Sequence, residues 1–294
     1  MKIAVFGQYY QNDTRPIISD IFAFFNANTI ELVIEETFLS ILYSQNLLKK
    51  EYKTFTSHKE LDSSFDVLIS IGGDGTILRA ATFVRDSGIP MLGINAGRLG
   101  FLATVQKENI EAFLQIVIEK KYTVSERTLL SLESSPKNDQ ITDLNFAMNE
   151  VTVSRKDTTS MITIETYLND EYLNSYWADG LIISTPTGST GYSLSCGGPV
   201  LTPDVKSLVI TPIAPHNLNA RPLVIPDDTV IKLKVSGREE NYLVSLDSRL
   251  ASINNNTVLT IKKTSFKIKM IEIPNETFLK TLRKKLLWGE DKRN

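Results

Sequence analysis

Residues Gly72-Gly73-Asp74-Gly75-Thr76 set one carboxylate among three glycines. The apolar run "DVLISI" leads into them, and the helix-like segment "TILRAATFVRDSG" follows. At such a junction the unpaired backbone N–H groups of the helix start carry partial positive charge and attract phosphate, and glycines let the backbone come close to it. Neither GxxxxGK[ST] nor GxGxxG is present, so no loop lysine neutralises the anion. Asp74 then needs a role of its own. It can help to hold Mg²⁺, directly or through water, so that the metal cancels both charges. It can take the proton from a hydroxyl that attacks phosphorus. Or it is an N-cap, a position that favours Asp.

Three more stretches concentrate polar groups. "GINAGRLGFL" puts Asn95, Gly97 and Gly100 in a tight loop, at the same sheet edge if the strands are parallel. "MNEVTVSR" brings Asn149 and Glu150. In "ADGLIISTPTGSTGYSLSCGGPVL" the hydroxyls of Thr185, Thr187, Ser189, Thr190, Ser193 and Ser195 interleave with Gly188, Gly191, Gly197 and Gly198. Hydroxyls and open backbone at that density suit a sugar-phosphate ligand, and equally a surface loop. His216 has no Cys or His neighbour with which to bind a metal. Cys196 has no histidine near it in sequence, so packing suits it better than thiol catalysis.

The elements that must position these residues follow from periodicity. "KIAVFG", "IELVIEE", "DVLISI" and "PMLGI" read as strands, the first and third as buried parallel ones. Between them "TRPIISDIFAFFNAN" puts Ile17, Ile18, Ile21, Phe22 and Phe25 on one helical stripe, with Thr14 as its N-cap. "TILRAATFVRDSG" is a helix ending at Gly88, and "KENIEAFLQIVIEKK" is amphipathic. This alternation predicts an α/β N-terminal domain with a mostly parallel sheet over residues 1–121. From residue 122 to 265 short β-rich runs punctuated by Asn, Asp, Gly and Pro predict an all-β domain, with "LNDEYL" as a hairpin turn. Residues 266–294 read as a strand and a helix returning to the N-terminal domain. Phe278, Leu282 and Leu286 share one face of that helix, Gly289 caps it, and Arg283, Lys284 and Lys285 form a solvated face that favours its C-terminus.

The chain has 294 residues and a formal net charge of -2, which argues against a general nucleic-acid binder. One cysteine allows no intrachain disulfide and favours a reducing compartment. "MKIAVFGQYY" lacks the apolar region of a signal peptide, and no apolar run reaches the ~18 residues of a membrane span. The expectation is a soluble cytoplasmic protein without nucleic-acid or membrane partners.

The order GGDGT, NxGxLGFL, NE, DGLIxSTPTGSTxYSLSxGGP, between Ile69 and Arg221, resembles the NAD kinases. GGDGT alone also occurs in phosphofructokinases and in diacylglycerol and sphingosine kinases; the long last motif is far more specific. The resemblance implies transfer of the terminal phosphoryl of ATP to the 2′-hydroxyl of the adenosine ribose of NAD, with a divalent metal such as Mg²⁺, in a homodimer or homotetramer. It implies that Asp74 is the catalytic carboxylate, with Gly75 beside it and Arg79 within reach of a phosphate. By the same resemblance Asn149 and Glu150 contact the adenosine part of NAD. Asp179 approaches the nicotinamide side, often across a subunit interface. Thr187, Thr190, Gly191, Tyr192, Ser193, Leu194 and Ser195 form the adenine and ribose pocket, and Ala214 lines it further. There are departures: Gly191 stands where alanine is frequent, Asp247-Ser248-Arg249 where "DGQ" is frequent, and Trp177 where a basic or small residue is frequent. Two other readings compete, a lipid kinase of the diacylglycerol type and a non-catalytic NADP-binding sensor.

Overall fold

The computed structural model describes residues 1–9, 14–97, 99–105, 107, 110–157, 160–217, 219–255 and 257–287. The chain forms two units, one of Met1–Glu126 with the chain from Ile268 on, the other of Arg127–Lys267.

The first unit opens with β1 (Lys2–Gly7), α1 (Thr14–Ala27), β2 (Glu31–Glu35), α2 (Glu36–Ser44) and β3 (Lys53–Phe55). It continues with β4 (Val67–Gly72), α3 (Asp74–Val84), β5 (Met91–Asn95), α4 (Ile110–Ile118) and β6 (Thr123–Arg127). The second unit holds β7 (Leu130–Ser135), α5 (Asp139–Thr142), β8 (Phe146–Ala147), β9 (Glu150–Ser154), β10 (Ile162–Leu168), β11 (Glu171–Ala178) and β12 (Gly180–Ser184). After these come α6 (Tyr192–Ser195), β13 (Ser207–Ile213), β14 (Leu223–Pro226), β15 (Ile231–Ser236), β16 (Asn241–Leu246), β17 (Arg249–Asn254) and β18 (Val258–Lys263). β19 (Ile268–Glu272) and α7 (Phe278–Leu286) belong to the first unit again.

In the first unit one sheet runs β3-β2-β1-β4-β5-β19-β6. β1 pairs in parallel with β2 and β4, and β4 with β5. Every residue of β4 is buried, as a parallel strand covered on both faces requires. The stripe Ile17, Ile18, Ile21, Phe22 and Phe25 of α1 is buried in the same core as Ile3, Val5, Ile69 and Ile71. Phe278 of α7 lies against Phe101, ring centres 6.0 Å apart, and Lys285 donates to the carbonyl of Leu99.

The second unit stacks two six-stranded sheets, β11-β10-β15-β18-β7-β8 and β14-β13-β12-β9-β16-β17. Their strands pair antiparallel. Ile162, Ile164, Leu233 and Ile261 of one sheet and Val151, Val153, Ile183 and Val244 of the other share one core, the alternate residues of each strand turning inward. Asn169 and Asp170, at φ 50° and 68°, make the two-residue turn between β10 and β11, the backbone that the strand twist favours.

Four details differ from the sequence reading. Thr14 is the first residue of α1 and is buried, where a cap ahead of the helix was expected. α3 stops at Val84, because Arg85 takes φ 45°, short of Gly88. α2 and β3 went unread. "EYLNSYWADGLIIST" is two strands, broken at Asp179. Gly289 lies outside the described residues. Among the described residues no helix is long and apolar enough to cross a membrane.

Candidate active site

In the first sheet the chain winds from β1 outward in both directions, so β1 and β4 flank the switch point. In open α/β sheets, ligands bind at the carboxyl ends of the strands there. Gly7 pairs with Ile71, and Gly72 with Asn95, so Gln8, the glycine loop and Asn95 converge on one edge. The Thr76 hydroxyl donates to Gln8 Oε1 at 2.9 Å, tying the end of β1 to α3. The Gly97 N–H donates to Asn95 Oδ1 at 2.7 Å.

Asp74 is the first residue of α3, and the cap position is held by Gly73. The Asp74 carboxylate does not cap its own helix. It accepts the N–H of Phe101 on Oδ2 at 2.8 Å, and those of Leu102 and Ala103 on Oδ1, both at 3.0 Å. An ionised carboxylate offers about four acceptor positions. Both on Oδ1 are filled and one on Oδ2 is filled, which leaves one on Oδ2. Gly75 is exposed, and among the described residues nothing beyond its chain neighbours and its own helix backbone lies within 4 Å of where its side chain would begin, so no packing contact there demands glycine. Arg79 is exposed further along α3, its guanidinium 5.9 Å from the centre of the Phe6 ring.

In the second unit Asn149 and Glu150 stand where β9 begins. Asp247, in the turn between β16 and β17 at φ 54°, accepts three successive amides. These are Met148 at 3.1 Å, Asn149 at 2.8 Å and Glu150 at 3.3 Å. Arg249 donates to the carbonyls of Leu144, at 2.7 Å, and Phe146, and its guanidinium is 3.9 Å from Asp247. The departure noted at "DSR" is thus a clamp on the segment before β9.

The hydroxyl-rich stretch folds over the same segment. Thr185 donates its N–H to Asn149 O at 2.9 Å and its hydroxyl to Met148 O at 2.6 Å. Gly188 lies so close that a side chain there would start 2.1 Å from Asn149 O. Residues 187–190 form a 3-10 turn, which the Thr190 hydroxyl closes on Thr187 O at 3.1 Å. Then α6 carries Tyr192, Ser193, Leu194 and Ser195. Ser193 is fully buried, its hydroxyl 2.8 Å from that of Thr211.

Glu150 is 8% exposed. Burial first, then the charge of Asp247, push its carboxyl up to about 8, against the lowering effect of the Tyr192 N–H, which donates to it. Burial also pushes Asp247 up, opposed by the amides of residues 148–150 and by Arg249. At this site two buried polar atoms, Asn149 Oδ1 and Glu150 Oε2, have no partner among the described residues. A methyl on Gly191 would lie 3.2 Å from Glu150 Oε2 and 3.5 Å from Asn149 Nδ2, so both side chains face this glycine.

Asp179 and Ala214 stand at the other end of β12, yet the charge of Asp179 still reaches the Tyr192 phenol. Asp179 precedes β12 while Thr185 follows it, so the two lie at opposite ends of that strand, roughly 20 Å apart by strand rise. The Asp179 N–H donates to Ile213 O at 3.0 Å, which sets it beside Ala214, at φ 42°. Arg155 pairs with Asp179 at 3.0 Å. Trp177 packs on His216, ring centres 4.3 Å apart, and its carbonyl accepts the His216 N–H at 2.8 Å. Burial raises the Cys196 thiol, away from a reactive thiolate.

Sequence reasoning missed Gln8, the amides of residues 101–103 and the role of Asp247. Asp247 had been noticed only as part of an altered "DGQ"; a carboxylate in a tight turn between two strands was the available sign.

Two family models match the chain, the ATP-NAD kinase N-terminal domain over residues 22–122 and the ATP-NAD kinase C-terminal domain over residues 148–273. An NAD kinase of Flavobacterium johnsoniae is 76% identical over 294 residues, covering all of both chains. One of Bacteroides fragilis is 43% identical over 293 residues, again covering all of both. Among solved structures, an NAD kinase from Archaeoglobus fulgidus in complex with ATP superposes with TM-score 0.73 at 25% identity, covering 97% of each chain. A yeast NADH kinase complexed with NADH has the same fold, with TM-score 0.88 at 21% identity over 99% of this chain and 88% of that one. With both domain models matched in order and full-length relatives at this identity, the chain belongs to the NAD kinase family, the enzymes that phosphorylate NAD to NADP.

Proposed function

We propose that this chain transfers the terminal phosphoryl of ATP to the 2′-hydroxyl of the adenosine ribose of NAD, with Asp74 as general base. The observation that carries this is the Asp74 carboxylate at the switch point, fixed by three amides with one acceptor position left on Oδ2. A bond forms between the 2′-oxygen and the terminal phosphorus, the bond from that phosphorus to the bridging oxygen of ADP breaks, and the hydroxyl proton passes to Oδ2. Asn149 and Glu150 hold the adenosine part of NAD, their partnerless buried atoms meeting its polar edge. Thr187, Thr190, Gly191, Tyr192, Leu194 and Ser195 line the adenine and ribose. Ser193 holds that turn in place through Thr211. Gly75 and Arg79 serve the phosphates.

ATP as donor is supported by the archaeal relative bound to ATP. Among the described residues no three His, Cys, Asp or Glu side chains are grouped so as to hold a metal. A divalent ion would therefore come with the triphosphate, which supplies its oxygen ligands, and would neutralise phosphate charge. Asp179 and Ala214, at the far end of β12, suit the nicotinamide side of a site in a second copy, in a homodimer or homotetramer.

The test is incubation of purified protein with ATP, Mg²⁺ and NAD, with an NADP-specific dehydrogenase reporting product. NADP must accumulate in proportion to enzyme. Binding of NADP without turnover would instead indicate a sensor, and turnover of diacylglycerol alone a lipid kinase.

A further inference from the structure

We propose that Asp247 and Glu150 share one proton, with the charge on Asp247 and the proton on Glu150 Oε2, so that Glu150 donates a hydrogen bond to an acceptor atom of the bound NAD. The inference rests on the assignment of Asn149 and Glu150 to NAD.

Two buried carboxylates joined through one strand start cannot both ionise without strong repulsion. The donors around them decide which one does. Against the burial that pushes it up, the Asp247 carboxylate accepts the three amides of residues 148–150 and has the guanidinium of Arg249 at 3.9 Å. Every one of these favours its anion. Glu150 takes an N–H from Tyr192, and its Oε2 is buried with no partner among the described residues. An anionic oxygen left so would be costly, whereas a protonated one is a donor waiting for an acceptor. Oε2 faces Gly191, where a side chain would begin only 3.2 Å from it, so the glycine keeps that oxygen from being crowded. Among the described residues the Tyr192 phenol is a further titratable group coupled to Glu150. Burial raises it, and Cys196, Asp179 and Glu150 add to that, so it stays neutral where Glu150 titrates. The upward shift of Glu150, to about 8, has the sign this arrangement requires.

The experiment measures KM for NAD, with ATP saturating, across about pH 6 to 9, a range that brackets the expected titration. It compares the unsubstituted protein with Glu150→Gln, Glu150→Ala and Asp247→Asn. For the unsubstituted protein KM should rise as pH climbs through about 8. Glu150→Gln, whose amide donates at every pH, should flatten that rise and raise KM far less than Glu150→Ala. Glu150→Ala should raise KM about ten- to a hundredfold at neutral pH. Asp247→Asn, which tolerates the positive φ but removes the charge, should move the rise to lower pH. The proposal is overturned if KM is flat with pH in the unsubstituted protein, or if Glu150→Gln is as damaging as Glu150→Ala, since Glu150 would then act as an anionic acceptor. If Glu150→Ala leaves KM for NAD unchanged, the assignment of the pair to NAD fails, and the proposal with it. The Gln and Ala comparison stands even if Asp247→Asn does not fold.

Discussion

A side chain on Gly100 would begin 1.8 Å from Oδ1 of Asp74, so its absence is what lets that carboxylate reach the amides of residues 101–103. Gly100→Ala should therefore push the carboxylate out of place without removing it. A displacement of about 1 Å can cost on the order of a hundredfold in rate, so kcat should fall by about that factor while the chain still folds. Steady-state kinetics beside a thermal melt tests this. A folded Gly100→Ala variant with unchanged kcat would mean that the Asp74 clamp is only structural.

Asn149→Ala should raise KM for NAD about ten- to a hundredfold, the cost of one or two hydrogen bonds to a desolvated ligand. If the bond is equal in ground and transition states, kcat should change less. The check is kinetics with NAD and ATP varied separately. A rise confined to KM for ATP would place the pair at the other substrate.

Glu150 also links stability to pH. Its folded value, about 8, lies above its ordinary 4.5, so the folded state binds the proton more tightly than the unfolded one. The contribution is complete below about 4.5 and is lost as pH rises to about 8. Glu150→Gln carries no such proton. Its Tm should rise relative to that of the unsubstituted protein as pH increases through this window, and parallel Tm curves would contradict the titration.

If Asp179 serves the site of a second copy, then Asp74→Asn and Asp179→Ala chains should complement one another. Each variant alone is impaired. In a mixed oligomer one site combines the intact Asp74 of one chain with the intact Asp179 of the other. Activity after subunit exchange should exceed that of either variant alone, and light scattering should show an oligomer. No gain on mixing, or an active monomer, would count against the shared site.

Much of the fold was legible in the sequence, because β4, α1 and the antiparallel strands follow simple hydrophobic periods. α2 was not, since it starts directly where β2 ends. Glu35 closes the strand and caps the helix, its carboxylate taking the Phe38 N–H at 2.8 Å, so no glycine or proline marks the change. β3 is only three residues long, two of them exposed. The motif residues were legible by type, but not the way they are held. Asp74 binds amides more than 25 residues later, and Asp247 binds amides nearly 100 residues earlier. Such pairings exist only once the sheets have formed, and a local pattern carries no trace of them.

The most direct test of the central claim is kcat for NADP formation by Asp74→Asn, with NAD and ATP saturating. Asn can still accept the amides of Leu102 and Ala103 on one oxygen, but it offers a poor proton acceptor to the 2′-hydroxyl. A positioned base contributes about 10²–10⁴-fold, so kcat should fall by that much, with the melting transition retained and KM for NAD changed far less. A folded Asp74→Asn enzyme within about twofold of the unsubstituted kcat, well inside the range a base contributes, would contradict the role of Asp74 as the base.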